Sequence, residues 1–328
     1  MAGQLNEYVV EQLDEITSAR IGSNILNGTF VPDDWNPGGR FQEDLDSWGG
    51  RITWEDVGAI AADFAASNSD EDAERLLACV RKNRGLVYAM FETSVFHDDL
   101  YAMEKLYAAD VFGHIIYSEG EYCHPHSLGE PPLASYKDWR KNGAPMWYPT
   151  HATAYYIGVT HGSFVEVSCQ GTAPFDKSKR QPNAIGNIFN SEVGLFRTRE
   201  GGVCRIIICG SQGEYLEAGR LRGEHAGYSW HNGLAAGFVG DAEGKKRLKE
   251  AMAKGVQTKK PALPPGVSAG GHGGSHGYLA NDFIDAILRG RKPAVDVIDA
   301  LNMTVPGYYA HLSATKDGEN LKIPQYSL

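Results

Sequence analysis

The segment SEVGLFRTREGGVCRIIIC, residues 191–209, holds two β-rich runs, Ser191 to Arg197 and Val203 to Cys209, with Gly201 and Gly202 between them. β-Branched and aromatic side chains suit a pleated, half-buried surface, and short Gly-containing connections return one such run beside the next. Phe164 to Cys169 is a third run of this kind. His114 to Tyr122, with Ile115, Ile116, Tyr117 and Tyr122, is a fourth that ends at Cys123-His124-Pro125-His126. The middle of the chain therefore reads as an antiparallel sheet.

Helices flank it. Ser69-Asp70-Glu71-Asp72 places acids in a first turn, Ala73, Leu76, Leu77 and Val80 continue one apolar face, and Asn83-Arg84-Gly85 stops it. Leu86 to Phe91 reads as a buried strand, and Leu100, Met103, Leu106 and Tyr107 mark a helix over Asp99 to Ala109. A short helix or turn covers Ala152 to Ile157, after Pro145-Met146-Trp147-Tyr148-Pro149-Thr150-His151. Arg222 to Pro265 is a polar, Gly-rich excursion with a surface helix at Lys245 to Lys254. At the N-terminus, Leu5, Val9, Leu13 and Ile16 give an amphipathic helix over residues 4 to 19, and residues 22 to 50, with Trp35 and Trp48, read as irregular loop.

With 328 residues and a net charge of -10, the chain can bury one large or two ordinary cores and lacks the basic stripe of a nucleic-acid binder. No apolar run approaches a membrane span, and MAGQLNEYVV lacks the basic and apolar regions of a signal peptide. Cys79, Cys123, Cys169, Cys204 and Cys209 are odd in number and form no CxxC pair, which fits reduced thiols and a cytoplasmic location. A small polar substrate is the expected partner, with no nucleic acid and no membrane.

Gly270-Gly271-His272-Gly273-Gly274-Ser275-His276-Gly277 places two imidazoles four residues apart on a loop whose backbone turns sharply. A helix follows, with Leu279, Phe283, Ala286 and Ile287 on one face and Gly290 at its end.

FETS (91–94), YSEGEYCHP (117–125), YPTHATA (148–154), GGHGGSH (270–276) and RKPAVDVIDALNMTVPGYYAHLSA (291–314), taken in this order, make residues 70–328 resemble the substrate-binding half of the Gfo/Idh/MocA oxidoreductases. The resemblance implies an α+β domain with a large, mainly antiparallel sheet, helices on one face and a second subunit on the other. It also implies sugars, cyclitols or related polyols as substrates. In the family a Rossmann NAD(P) domain comes first, but no GxGxxG occurs anywhere in this chain, so residues 1–69 are expected to pack on the main domain as helix and irregular segment. The family's Glu-Lys-Pro motif falls on Asp63-Phe64-Ala65, and the aspartate four residues before its catalytic histidine falls on Trp147; the histidine itself matches His151.

His151 is thus the expected general base, with His272 and His276 as further catalytic candidates beside it. Glu92, Glu119, Glu121, His124, Trp147 and Tyr148 are candidate substrate contacts, with Trp139 a further ring for stacking on a sugar. Glu119 and Glu121 share a strand face and could pair as carboxylates; with the imidazoles of His124 and His126 they could hold a divalent cation, as could His124 with His272 and His276. No cofactor motif is recognisable, and NAD(P) enters only if a nucleotide domain is supplied elsewhere. Three functions fit: proton chemistry (elimination, hydration or epimerisation) on a sugar or keto sugar, an NAD(P)-dependent sugar or cyclitol dehydrogenase, and a non-catalytic subunit of an oxidoreductase complex. A homo-oligomer, of which a dimer through the sheet is one form, is expected because a broad β face needs cover.

Overall fold

The structure, a computed structural model, describes residues 70–124, 143–180, 186–210, 215–231 and 234–328. The N-terminal helix and loop, Asp63-Phe64-Ala65, His126 and Trp139 lie outside these residues.

Helix α1 (Asp70–Lys82) opens the described part, with Arg81 and Lys82 in its last turn, where the helix dipole favours cations. Asn83 closes it by donating from its side chain to the Cys79 carbonyl at 2.9 Å. Leu86 to Phe91 does not form a strand: Leu86 is 59% exposed, and Met90 N–H donates to the Val295 carbonyl instead of joining a ladder. The apolar run is real, but a strand is defined by its partner and no described strand lies alongside. A 3-10 turn (Thr93–Phe96) leads into α2 (Asp98–Ala108) and then β1 (Ile115–Cys123).

Helix α3 (Thr150–Thr160) follows, buried along its length and closed by His161 in the left-handed conformation at φ 51°. The remaining strands are β2 (Phe164–Thr172), β3 (Ser191–Thr198), β4 (Val203–Cys209), β5 (Leu216–Gly223), β6 (Ala226–His231) and β7 (Leu234–Gly240). Three helices and a last strand complete the chain: α4 (Ala242–Ala253), α5 (Ser275–Arg289), α6 (Val297–Ala314) and β8 (Leu321–Lys322). The excursion expected over Arg222 to Pro265 therefore contains β6 and β7, whose short, Gly-interrupted sequences carry little periodic signal.

All eight strands join one sheet in the order β7-β6-β5-β1-β4-β3-β2-β8. The sheet is mainly antiparallel, as expected, with one parallel pair, β1 on β4. Alternation along β3 and β4 sends Glu192, Phe196, Cys204, Ile206 and Ile208 inward, while Val193 and Leu195 stay exposed on the other face.

Two glycines let α3 lie directly on the sheet. A Cβ at Gly120 of β1 would sit 1.9 Å from the Ala152 carbonyl oxygen, and one at Gly219 of β5 would sit 2.1 Å from the Tyr155 ring. Thr153 Oγ1 donates to the Met303 carbonyl at 2.9 Å and joins α3 to α6. The first turn of α3 is thereby fixed over β1 and β5, and it is this turn that carries His151. No described helix is long and apolar enough to cross a membrane.

Candidate active site

Glu92 caps the 3-10 turn: its Oε1 accepts from Ser94 N–H at 2.9 Å. The same oxygen lies 2.8 Å from His151 Nδ1, so a buried carboxylate backs a buried imidazole. Ser94 Oγ stands 2.8 Å from His151 Nδ1, 2.8 Å from Glu92 Oε1 and 2.5 Å from Oε1 of Glu217, which β5 points inward. Tyr148 OH reaches His151 Nε2 at 3.1 Å, and Tyr122 stacks on the imidazole at 4.6 Å between centroids.

Electrostatics follow from this burial. Desolvation alone would raise the Glu92 carboxyl, but the His151 charge and the hydrogen bonds from His151, Thr150 and Ser94 outweigh it and hold the group at about 2. Desolvation likewise opposes charge on His151. Glu92, Tyr148 and Glu217 overcome it and lift the imidazole well above the usual histidine range. At neutral pH the pair is an imidazolium on a carboxylate, with Nδ1 occupied and Nε2 on the Tyr148 side. Such an arrangement donates a proton from Nε2 and, once neutral, can take one back.

The histidine loop lies against this cluster. Gly270, His272, Gly273 and Gly274 all have positive φ, and the non-glycine His272 at 48° is held there as Ser275 Oγ donates to its carbonyl. His272 Nδ1 and His276 Nε2 are 2.7 Å apart, so the two rings share one proton. Burial, then His276 and His151, lower the His272 titration, with Glu217 opposing them; burial also lowers that of His276. His97, just past the 3-10 turn, sits 3.5 Å from Glu217 through its Nδ1.

The expected residues separate into groups. Glu92, Tyr148 and His151 are in direct contact, and His272 lies within electrostatic reach of His151, with His276 beside it. His124 is on the same sheet face, 5.9 Å from Tyr122 and 5.2 Å from Tyr215 between ring centroids. Glu119 and Glu121 are on the opposite face: Glu119 pairs with Arg205 and Arg220 and accepts from Tyr117 OH, and Glu121 pairs with Arg205. Period 2 put them together, but β1 turns its even residues toward His151. Trp147 meets His311 of α6 at 5.6 Å, next to a buried Glu192–His311 pair that also takes Met146 N–H. Among the described residues no three His, Cys, Asp or Glu side chains are arranged to hold a metal ion, so His124, His272 and His276 do not converge as ligands.

Ser94, His97, Tyr122, Tyr215 and Glu217 were not expected. Ser94 and His97 lie within or next to FETS, and a capping glutamate two residues before a serine was a usable signal. Glu217 could have been found as a lone acid between Leu216 and Ala218, had β5 been recognised.

No protein-family profile matches the chain, and no curated protein matches it. Solved structures do. Levoglucosan dehydrogenase in complex with NADH and L-sorbose is similar at a TM-score of 0.57 and 16% identity, over 82% of this chain and 76% of that one. An oxidoreductase domain protein from Kribbella flavida gives 0.55 and 18%, over 81% and 76%. The aldose-aldose oxidoreductase from Caulobacter crescentus complexed with glycerol gives 0.55 and 15%, over 79% and 70%. The described α+β domain thus has the fold of Gfo/Idh/MocA-type oxidoreductases. At these identities the likeness is one of fold.

Proposed function

We propose that the chain is a carbohydrate-processing enzyme related to the Gfo/Idh/MocA oxidoreductases, in which His151 transfers a proton to and from a sugar or keto sugar. The observation that carries this reading is the buried Glu92–His151 pair, with Nδ1 held at 2.8 Å and Nε2 beside Tyr148 OH. A raised pKa keeps the imidazole protonated near neutrality, so that Nε2–H is present to be donated to a carbonyl oxygen or to a departing hydroxyl. Tyr148 OH orients the substrate oxygen, and Tyr122, Tyr215 and His124 supply ring faces along one side. His272 and His276 complete the polar lining and act on substrate position.

The reaction in this reading is proton chemistry that needs no nucleotide: elimination, hydration or epimerisation. A nicotinamide-dependent sugar dehydrogenase is the second reading, and the NADH named in the levoglucosan dehydrogenase complexes favours it. There, proton transfer at His151 would accompany hydride transfer, with the nicotinamide supplied beyond the described residues. We place the protein in the cytoplasm, where the free thiols of Cys79, Cys169 and Cys204 stay reduced. We also read the sheet face that carries Val193 and Leu195 as the contact of a homo-oligomer.

A panel of aldoses, ketoses and cyclitols, incubated with and without NAD(P), tests the proposal. Turnover without nucleotide, detected by solvent deuterium entering the sugar, supports the first reading. Turnover that requires nucleotide, or calorimetry giving a micromolar dissociation constant for NAD(H), replaces it with the second. Undiminished turnover in His151→Asn refutes both.

A further inference from the structure

We infer that His97 is a second acid–base residue of this site, its Nδ1 facing Glu217 across 3.5 Å where that of His151 faces Glu92 at 2.8 Å. The inference rests on the acid–base reading above and extends it to a residue that nothing in the family resemblance singles out. Both imidazoles turn Nδ1 toward a buried glutamate, His151 to Glu92 at 2.8 Å and His97 to Glu217 at 3.5 Å. Each therefore leaves Nε2 on its outer side. For His151 that nitrogen meets Tyr148 OH. For His97 it faces the histidine loop, since a Cβ built on Gly273 would lie 3.7 Å from both His97 Nε2 and Cδ2. The His97 side chain is 18% exposed, so the ring is not sealed from a ligand.

One hydroxyl joins the two pairs. Ser94 Oγ contacts His151, Glu92 and Glu217 at once but has a single proton to give, and at 2.5 Å its shortest contact is with Glu217. A carboxylate facing Nδ1 favours the tautomer with its proton there and leaves Nε2 as the nitrogen that exchanges a proton with a ligand. The other groups around His97 are Asp98 and Asp99 on its own helix, His272 on the loop, Trp230 on β6 and Lys260, which bonds the Phe96 carbonyl and Asp98.

Two such imidazoles redistribute a proton within one substrate. Nε2 of the neutral ring takes a proton from a C–H or O–H bond, and the electron pair stays on the substrate. The other ring, entering as imidazolium, delivers the proton on its Nε2 to a second position or to a departing hydroxyl, which leaves as water. No electron is gained or lost, and no co-reactant is needed. The substrate class is a polyhydroxylated carbonyl compound that is epimerised, isomerised or dehydrated.

Long-range proton–nitrogen NMR of the full chain tests the pairing without substrate: in Glu217→Gln the His97 Nδ1 resonance should move, because the carboxylate it faces at 3.5 Å is lost. On the sugar panel, His97→Gln should lower kcat about a hundredfold, leave KM within about threefold and remove one limb of the pH profile. Added imidazole should restore part of the rate, which a structural role would not allow. An unmoved His97 Nδ1 resonance in Glu217→Gln overturns the inference whether or not the panel contains a substrate. So does a folded His97→Gln variant with full kcat and both limbs. If His151→Asn abolishes turnover while His97→Gln does not, only the second residue falls; if His151→Asn is fully active, the acid–base reading itself falls.

Discussion

Glu92→Gln isolates the charge behind His151. The substitution keeps size and one acceptor for Ser94 N–H but removes the negative charge that the buried imidazole faces at 2.8 Å. Glu92 is displaced from its ordinary 4.5 to about 2. At about 1.4 kcal/mol per pH unit, the balance of desolvation against the His151 charge and the hydrogen bonds from His151, Thr150 and Ser94 is worth about 3 kcal/mol, which is an upper bound on the loss. The rise at His151 is the same interaction seen from the other partner and is counted once. For a domain of this size the upper bound corresponds to a fall of roughly 6–12 °C in Tm.

The sign of the pH dependence follows from the directions. Glu92, lowered on folding, contributes stability above its unfolded value, and that contribution is lost as pH falls toward about 2. His151, raised on folding, contributes fully below its ordinary 6.5, and that contribution is lost as pH rises through its folded value. The Tm gap between wild type and Glu92→Gln should therefore be widest between about pH 4.5 and 6.5 and narrow on either side. Melting both proteins across this range by circular dichroism measures it. A gap under about 2 °C at pH 5.5, or one that stays constant down to pH 3, would refute the assignment of Glu92–His151 as a charged buried pair.

His151→Asn should lower turnover on any sugar of the panel by about two to four orders of magnitude, read per folded molecule because Glu92 then loses its counter-charge and Tm drops as well. Gly120→Ala places a Cβ 1.9 Å from the Ala152 carbonyl oxygen, so chemical denaturation should show a loss of about 3 kcal/mol or no folded protein. Multi-angle light scattering should give at least a dimer mass at micromolar concentration, and Leu195→Lys should shift it toward monomer, since Leu195 is 53% exposed on a β face.

Much of this fold was legible because β3, β4 and α1 each carry an unbroken period. β5, β6 and β7 were missed because GRLRG and HAGYSWHNG break the alternation with glycine and charge, and such strands are specified by the neighbours they pair with. The site divides the same way. His151 and Tyr148 were found through a local stretch, whereas Glu217 is 66 positions from His151 and enters only when β5 pairs with β1. Glu119 and Glu121 show the converse error: the spacing gave a shared face, but which face looks toward His151 depends on Gly120 fitting under α3.

The arrangement around His151 shows how a carboxylate can be supplied from another part of the chain. By resemblance, an aspartate that belongs to the acid–base set stands four residues before the histidine, where this sequence has Trp147. That indole packs against His311 instead, and the turn that holds it is pinned by Met146 N–H on Glu192. The imidazole is not left bare: Glu92, on a turn between α1 and α2, brings its oxygen to Nδ1. A buried imidazolium without a counter-charge would deprotonate, because desolvation penalises the ion. What the chemistry requires is therefore a carboxylate at hydrogen-bonding distance, and the fold supplies it through a tertiary contact between Glu92 and His151.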